Sequence, residues 1–152
     1  MKKAHRAFTL VELLIVIIII GTLAGMMMLA AGSATSKAEA TKIVANLRTL
    51  KSAVMMYEAE NVPFPNNTII YMDEKPNSLD NYLDNSGLSG AYFFLRQDPW
   101  SYVAFAGETA KPQITKDSDV WKQILMMADN AGLYISSANV SEVWSLINDP
   151  RK

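Results

Sequence analysis

Between Leu13 and Ser36 the chain carries no charged residue, and one carboxylate, Glu12, stands at the head of that run. About twenty apolar residues cross a bilayer as a helix, so this stretch dictates a membrane-length element before anything else is read. The residues ahead of it are basic: Met1-Lys-Lys-Ala-His-Arg-Ala7, then Phe8-Thr-Leu-Val-Glu12. Lys2, Lys3 and Arg6 place the N-terminus on the cytoplasmic side by the positive-inside rule. A secretory signal has an apolar core of about 7–15 residues and a small-residue cut site. Ala30-Ala-Gly-Ser-Ala34 imitates such a site, yet the run is too long for a typical signal. A carboxylate in an apolar helix costs about 2.5–3.5 kcal/mol at the bilayer centre and less near the interface. So expensive a group usually has a partner. A cut after Ala7 would create one, the new α-amino group of a neighbouring subunit. Three architectures compete on these residues: a processed filament subunit, a single-pass membrane-anchored binding module, and a secreted soluble protein with a cleaved signal.

The block Ala7-Phe8-Thr9-Leu10-Val11-Glu12, the apolar run with Gly21, and the amphipathic stretch ending Met55-Met56-Tyr57 resemble the type IV pilin-like family. That family includes pilins and the pseudopilins of type II secretion, and the resemblance covers roughly the first sixty residues. It implies that a prepilin peptidase removes residues 1–7 by cutting between Ala7 and Phe8, and that Phe8 is then N-methylated. It implies that Thr9, Leu10 and Glu12 serve assembly. The implied partners are copies of the chain or other pilin-like subunits, the inner-membrane assembly machinery and membrane lipid. The implied location is the inner membrane, single-pass with a cytoplasmic N-terminus, and then a periplasmic or extracellular filament. Two departures stand out. Ala7 occupies the position where the family usually has Gly, and no Pro falls between Leu13 and Val62 where many members carry one. Asp98-Pro99-Trp100 with Tyr102 echoes a segment of major pseudopilins, with Ser101 in place of its Gly.

The fold expected is α+β: a long N-terminal α-helix, half transmembrane and half amphipathic, packed on a small antiparallel β-sheet head. The organisation is a leader at 1–7, a transmembrane and filament-core helix at 8–36, its amphipathic continuation at 37–60 and a head at 61–152. Ile43, Leu47, Leu50, Val54 and Tyr57 recur every three or four residues and make one apolar stripe. Pro63 and Pro65 stop the helix near Asn61. Read as one piece, Phe8 to Glu60 spans about 80 Å at ~1.5 Å per residue. In the head, 69–72, 91–95, 100–105 and 133–135 read as strands, with a turn at Asp98-Pro99 and a helical turn at 78–83. Asp117-Ser118-Asp119 reads as a helix cap, with a helix to Ala131 stopped by Gly132. Residues 141–148 read as a last short helix, and Trp100 reads as core.

The chemistry on offer is sparse. There is no cysteine, so disulfides and thiolate metal sites are excluded. The lone histidine, His5, lies in the leader, so neither a catalytic triad nor a histidine metal site is expected after processing. The net charge of −1 includes three leader cations, so −1 minus 3 leaves −4 on the rest, with no basic stripe for nucleic acid. Asp73, Glu74, Asp80, Asp84, Asp98, Asp117, Asp119 and Asp129 could offer oxygen ligands to calcium, but their spacing matches no loop motif. The expectation is therefore a non-enzyme without metal or cofactor. Gly21 and Gly25 form a G-x-x-x-G pair. It could mediate close helix packing, reflect the frequency of Gly in membrane helices or loosen the helix. The nine methionines read as adaptable apolar filler. The sequons Asn66-Asn67-Thr68 and Asn139-Val140-Ser141 carry little weight.

Overall fold

A computed structural model describes residues 8–74, 78–83, 88, 90–111, 113–135 and 142–148. Helix α1 runs Leu10–Glu60, and the chain divides into two compact units, Met1–Thr35 and Ser36–Lys152. In the first unit the helix is apolar on every side, and its described residues lie open. A helix apolar all round belongs in lipid or inside a larger assembly. Its few hydroxyls satisfy themselves locally. Thr22 Oγ1 donates to Ile19 O at 2.9 Å and Thr35 Oγ1 to Ala31 O at 3.0 Å, so neither exposes a free donor to an apolar solvent.

In the second unit the continuation of α1 lays its stripe on the head. Leu47, Leu50 and Val54 are wholly buried and Ile43 nearly so, with Tyr57 half-buried at the end. The buried face is wider than the expected stripe, because Ala40, Val44 and Ala53 join it. The helix ends where Asn61 N–H donates to Tyr57 O at 2.9 Å and the Asn61 side-chain amide donates to the same oxygen at 3.1 Å. Pro63 follows and cannot extend the turn. Near that end Glu58 pairs with Arg96 at 3.2 Å, and Lys51 Nζ donates to Leu146 O at 2.5 Å.

The partner of α1 is a five-stranded antiparallel sheet ordered β1-β2-β3-β5-β4. The strands are β1 (Thr68–Tyr71), β2 (Tyr92–Gln97), β3 (Trp100–Ala106), β4 (Tyr134–Ile135) and β5 (Glu142–Asn148). Phe94, Val103 and Val143 point into the core shared with Leu47 and Leu50. Tyr92 also points inward. Its hydroxyl accepts from Asn46 Nδ2 at 3.0 Å, and burial pushes its pKa up to about 12. The other face carries aromatic pairs, Tyr71 with Phe93, Tyr102 with Trp144, and Trp144 stacked on Tyr134.

Helix α2 (Asp119–Ala131) is bounded by the expected signals. The Ser118 hydroxyl, rather than either neighbouring aspartate, accepts from Trp121 N–H at 3.2 Å. Gly132 closes the helix in the left-handed region, φ 66°, where a side chain would be strained. Trp121, Ile124 and Ala128 are its buried face.

Three expectations are corrected. The segment read as a terminal helix is strand β5, with Ser141 itself outside the described residues. Val143, Leu146 and Ile147 have helical spacing, but β3 and β4 both need a neighbour, and pairing outweighs local propensity. Trp100 is half-buried on the outer face instead of in the core. The strand begins at Trp100, so alternation sends Ser101, Val103 and Phe105 inward and Trp100 and Tyr102 outward. Residues 78–83 form turns, one closed by Tyr82 N–H donating to Leu79 O at 2.9 Å, and not a helix.

Glu142 gives a pH test of this packing. It sits opposite Ala106 on β5, and burial raises its pKa above the usual 4.5. A carboxyl with a raised folded pKa holds its proton more tightly in the folded state. Folding is then most favoured below the unfolded value and loses stability as pH climbs through the folded one. Glu142→Gln is expected to raise the melting temperature of the full chain in detergent at pH 7, and the gain should vanish near pH 4. A constant gain across that range would assign the effect to something other than ionisation.

Candidate functional site

The start of α1 is where the sequence concentrates its chemistry. Ala7 lies outside the described residues; Phe8 is 81% exposed and Leu10 82%. Thr9 and Glu12 are brought together. Glu12 Oε2 accepts from Thr9 N–H at 2.9 Å and from Thr9 Oγ1 at 2.7 Å, while Glu12 N–H donates back to Thr9 Oγ1 at 3.2 Å. This is a capping box: Thr at the N-cap and Glu three residues on satisfy each other's backbone donors. The sequence carried that signal, Thr-x-x-Glu ahead of an apolar run, and reading it as an assembly motif alone missed this local role. Two donors converge on one carboxylate oxygen, and among the described residues Oε1 has no partner.

Beyond the cap, Val11 to Met28 presents apolar side chains in every direction, with Leu14, Ile17 and Ile20 about half exposed. Gly21 and Gly25 lie on this stretch with nothing within 4 Å of an added Cβ, so any close packing they serve is with another molecule. The helix is long and apolar enough to cross a membrane. In the second unit no group of three metal-ligating residues assembles among the described residues. Asp98 instead pairs with Arg96 at 3.2 Å, and its N–H donates to Asn66 Oδ1.

The comparisons agree with this geometry. A family model described as the prokaryotic N-terminal methylation motif matches residues 2–28, the span of basic leader, capping box and apolar run. The type II secretion system core protein G of Klebsiella pneumoniae is 32% identical over 100 residues, covering 64% of this chain and 71% of that protein. The Escherichia coli K12 protein of the same name is 33% identical over 98 residues, covering 63% and 67%. The Dickeya chrysanthemi protein is 30% identical over 105 residues, covering 66% of each. The chain belongs to the family of type II secretion system core protein G, within the wider pilin-like class that the long helix and sheet define. Its matches span from 45% of the length of the Klebsiella michiganensis protein to 71% of the Klebsiella pneumoniae one. No solved structure matches it.

Proposed function

We propose that this chain is a structural subunit of a type II secretion pseudopilus, made at the inner membrane with its N-terminus in the cytoplasm. A prepilin peptidase would remove residues 1–7 between Ala7 and Phe8, and Phe8 would be N-methylated. Residues 8–36 would leave the bilayer for a filament core, 37–60 would carry the head, and 61–152 would form it. The role is cohesion and not catalysis. One observation carries the reading: an all-round exposed apolar helix headed by a capped Glu12 coincides with the matched methylation motif. Packing that surface against copies of itself contributes roughly 25 cal/mol for each Å² of apolar area buried. Glu12 Oε1, without a partner among the described residues, would accept a hydrogen bond from the α-amino group of Phe8 of the next subunit.

Mass spectrometry of the N-terminus in envelope fractions tests the processing step. A methylated chain beginning at Phe8 is expected, Ala7→Gly should still be cut, and a bulky Ala7→Trp should stay whole. A chain beginning at Met1 in cells that possess the peptidase marks a plain anchor, and one beginning near Thr35 marks a secreted protein. Either result would sink the filament reading.

A further inference from the structure

Alternation along β5 sends Val143 and Ser145 into the core, so Glu142 and Trp144 stand on the outer face of the sheet. Two alanines of β3 lie opposite them, Ala106 beside Glu142 and Ala104 beside Trp144. Trp144 is flanked by Tyr134, stacked with ring centroids 4.9 Å apart, and by Tyr102 at 5.5 Å. Ala104 is wholly buried although it faces outward, because the rings of Phe93 and Trp144 flank it across the strands. Ala106, one row on, is half-buried and gives Glu142 a low neighbour. Glu142 is itself half-buried, yet no described residue brings a hydrogen bond or an ion pair to its carboxylate. Burial alone raises its pKa, and its charge adds to burial in raising that of the Tyr102 phenol. An uncompensated carboxylate in such a place costs stability, and costs of this kind cluster at functional sites. A partly desolvated negative charge favours a cation, and ring faces beside it favour a flat one.

We propose that Glu142, Trp144, Tyr102 and Tyr134 form a docking site for an arginine side chain of a different polypeptide. The guanidinium would enter over Ala106, pair with the Glu142 carboxylate and lie against the Trp144 ring, while its methylene stem covers apolar ring surface. Lysine fits less well, because a compact ammonium has no plane to set against a ring. A second copy of the chain also fits less well. Among the described residues its Arg96 is held by Glu58 and Asp98, which leaves Arg48. Arg48 lines a hollow between α1 and α2 with Val44, Ala45 and Met127, so it is recessed and poorly placed to enter another. The site lies wholly in the second unit, and the proposal does not depend on the pseudopilus reading.

The test titrates the full chain in detergent micelles with a capped pentapeptide, valine-threonine-arginine-threonine-valine, and follows the indole N–H signals by NMR. The Trp144 signal should shift and saturate with a Kd of about 1 mM or below, while that of buried Trp121 stays still. The same peptide with citrulline keeps the shape of arginine without its charge and should bind about tenfold or more weakly. Glu142→Gln should weaken the arginine peptide by a similar factor. That variant is expected to be the more stable protein at pH 7, so a lost fold does not explain the result. Absence of a saturable Trp144 shift overturns the proposal, as does equal binding of the two peptides or unchanged binding by Glu142→Gln. A Trp144 signal that moves with protein concentration before peptide is added, and holds still in Arg48→Ala, also overturns it, by assigning the face to a second copy.

Discussion

Glu12→Ala is expected to abolish filaments while leaving the membrane pool of cut subunit intact. Removing the charge makes the apolar segment more compatible with lipid, so insertion and cleavage after Ala7 should continue. What would be lost is the proposed charge pair with the Phe8 amino group at each contact along the polymer. Leaving one member of a buried pair unsatisfied costs about 3–5 kcal/mol. The capping box complicates this variant, because alanine also removes the bonds to Thr9 and loosens the first turn. Glu12→Gln separates the two effects. Glutamine closes a capping box as glutamate does but carries no charge. If the pair is what assembly needs, glutamine should fail as completely as alanine. Sheared-filament yield beside the processed membrane pool is the measurement. Normal filaments from Glu12→Gln would make Glu12 a helix cap and nothing more.

Leu47→Ala should cost the second unit about 2–5 kcal/mol. Leu47 is wholly buried beneath the sheet, and with no cysteine in the chain this core has no covalent staple to offset a cavity. Domains of this size have only about 5–15 kcal/mol in hand, so the variant loses a large share of its stability. Denaturant unfolding of the full chain in detergent, followed by the fluorescence of buried Trp121, reads the effect. Met56→Ala on the exposed side of the same helix should fall within about 0.5 kcal/mol of wild type. Equal losses from the two would mean that the stripe is not what holds α1 to the sheet.

Where residues act on their immediate neighbours, the sequence was legible. The stripe of Ile43, Leu47, Leu50 and Val54 lies where its spacing put it. Ser118 and Gly132 bound α2 because a cap and a left-handed residue are local devices. The family block at 7–12 led to the methylation motif, and four strands were found within a residue or two. The terminal segment failed for a long-range reason. Nothing within Glu142–Asn148 says that β3 and β4 wait on either side of it. Trp100 was assigned to the core because tryptophan usually is, whereas the first residue of β3 decided which way it faced. At Glu12 a reading by family resemblance hid a simpler local one.

The place of β5 sets an order on how the head can be made. The strand lies between β3 and β4 although it follows both in the chain. Until 142–148 has emerged, β3 has one bare side and β4 has nothing to pair with. The sheet therefore cannot close progressively as the polypeptide appears, and an interior strand is the last piece inserted. Such non-local pairing is slow, and strands left unpaired meanwhile invite misassembly. For a subunit whose apolar helix has entered the membrane first, as proposed above, the interval before β5 arrives leaves one side of β3 bare. A chaperone or a neighbour that shields β3 during that interval would act on the yield of the folded head and leave its final structure untouched.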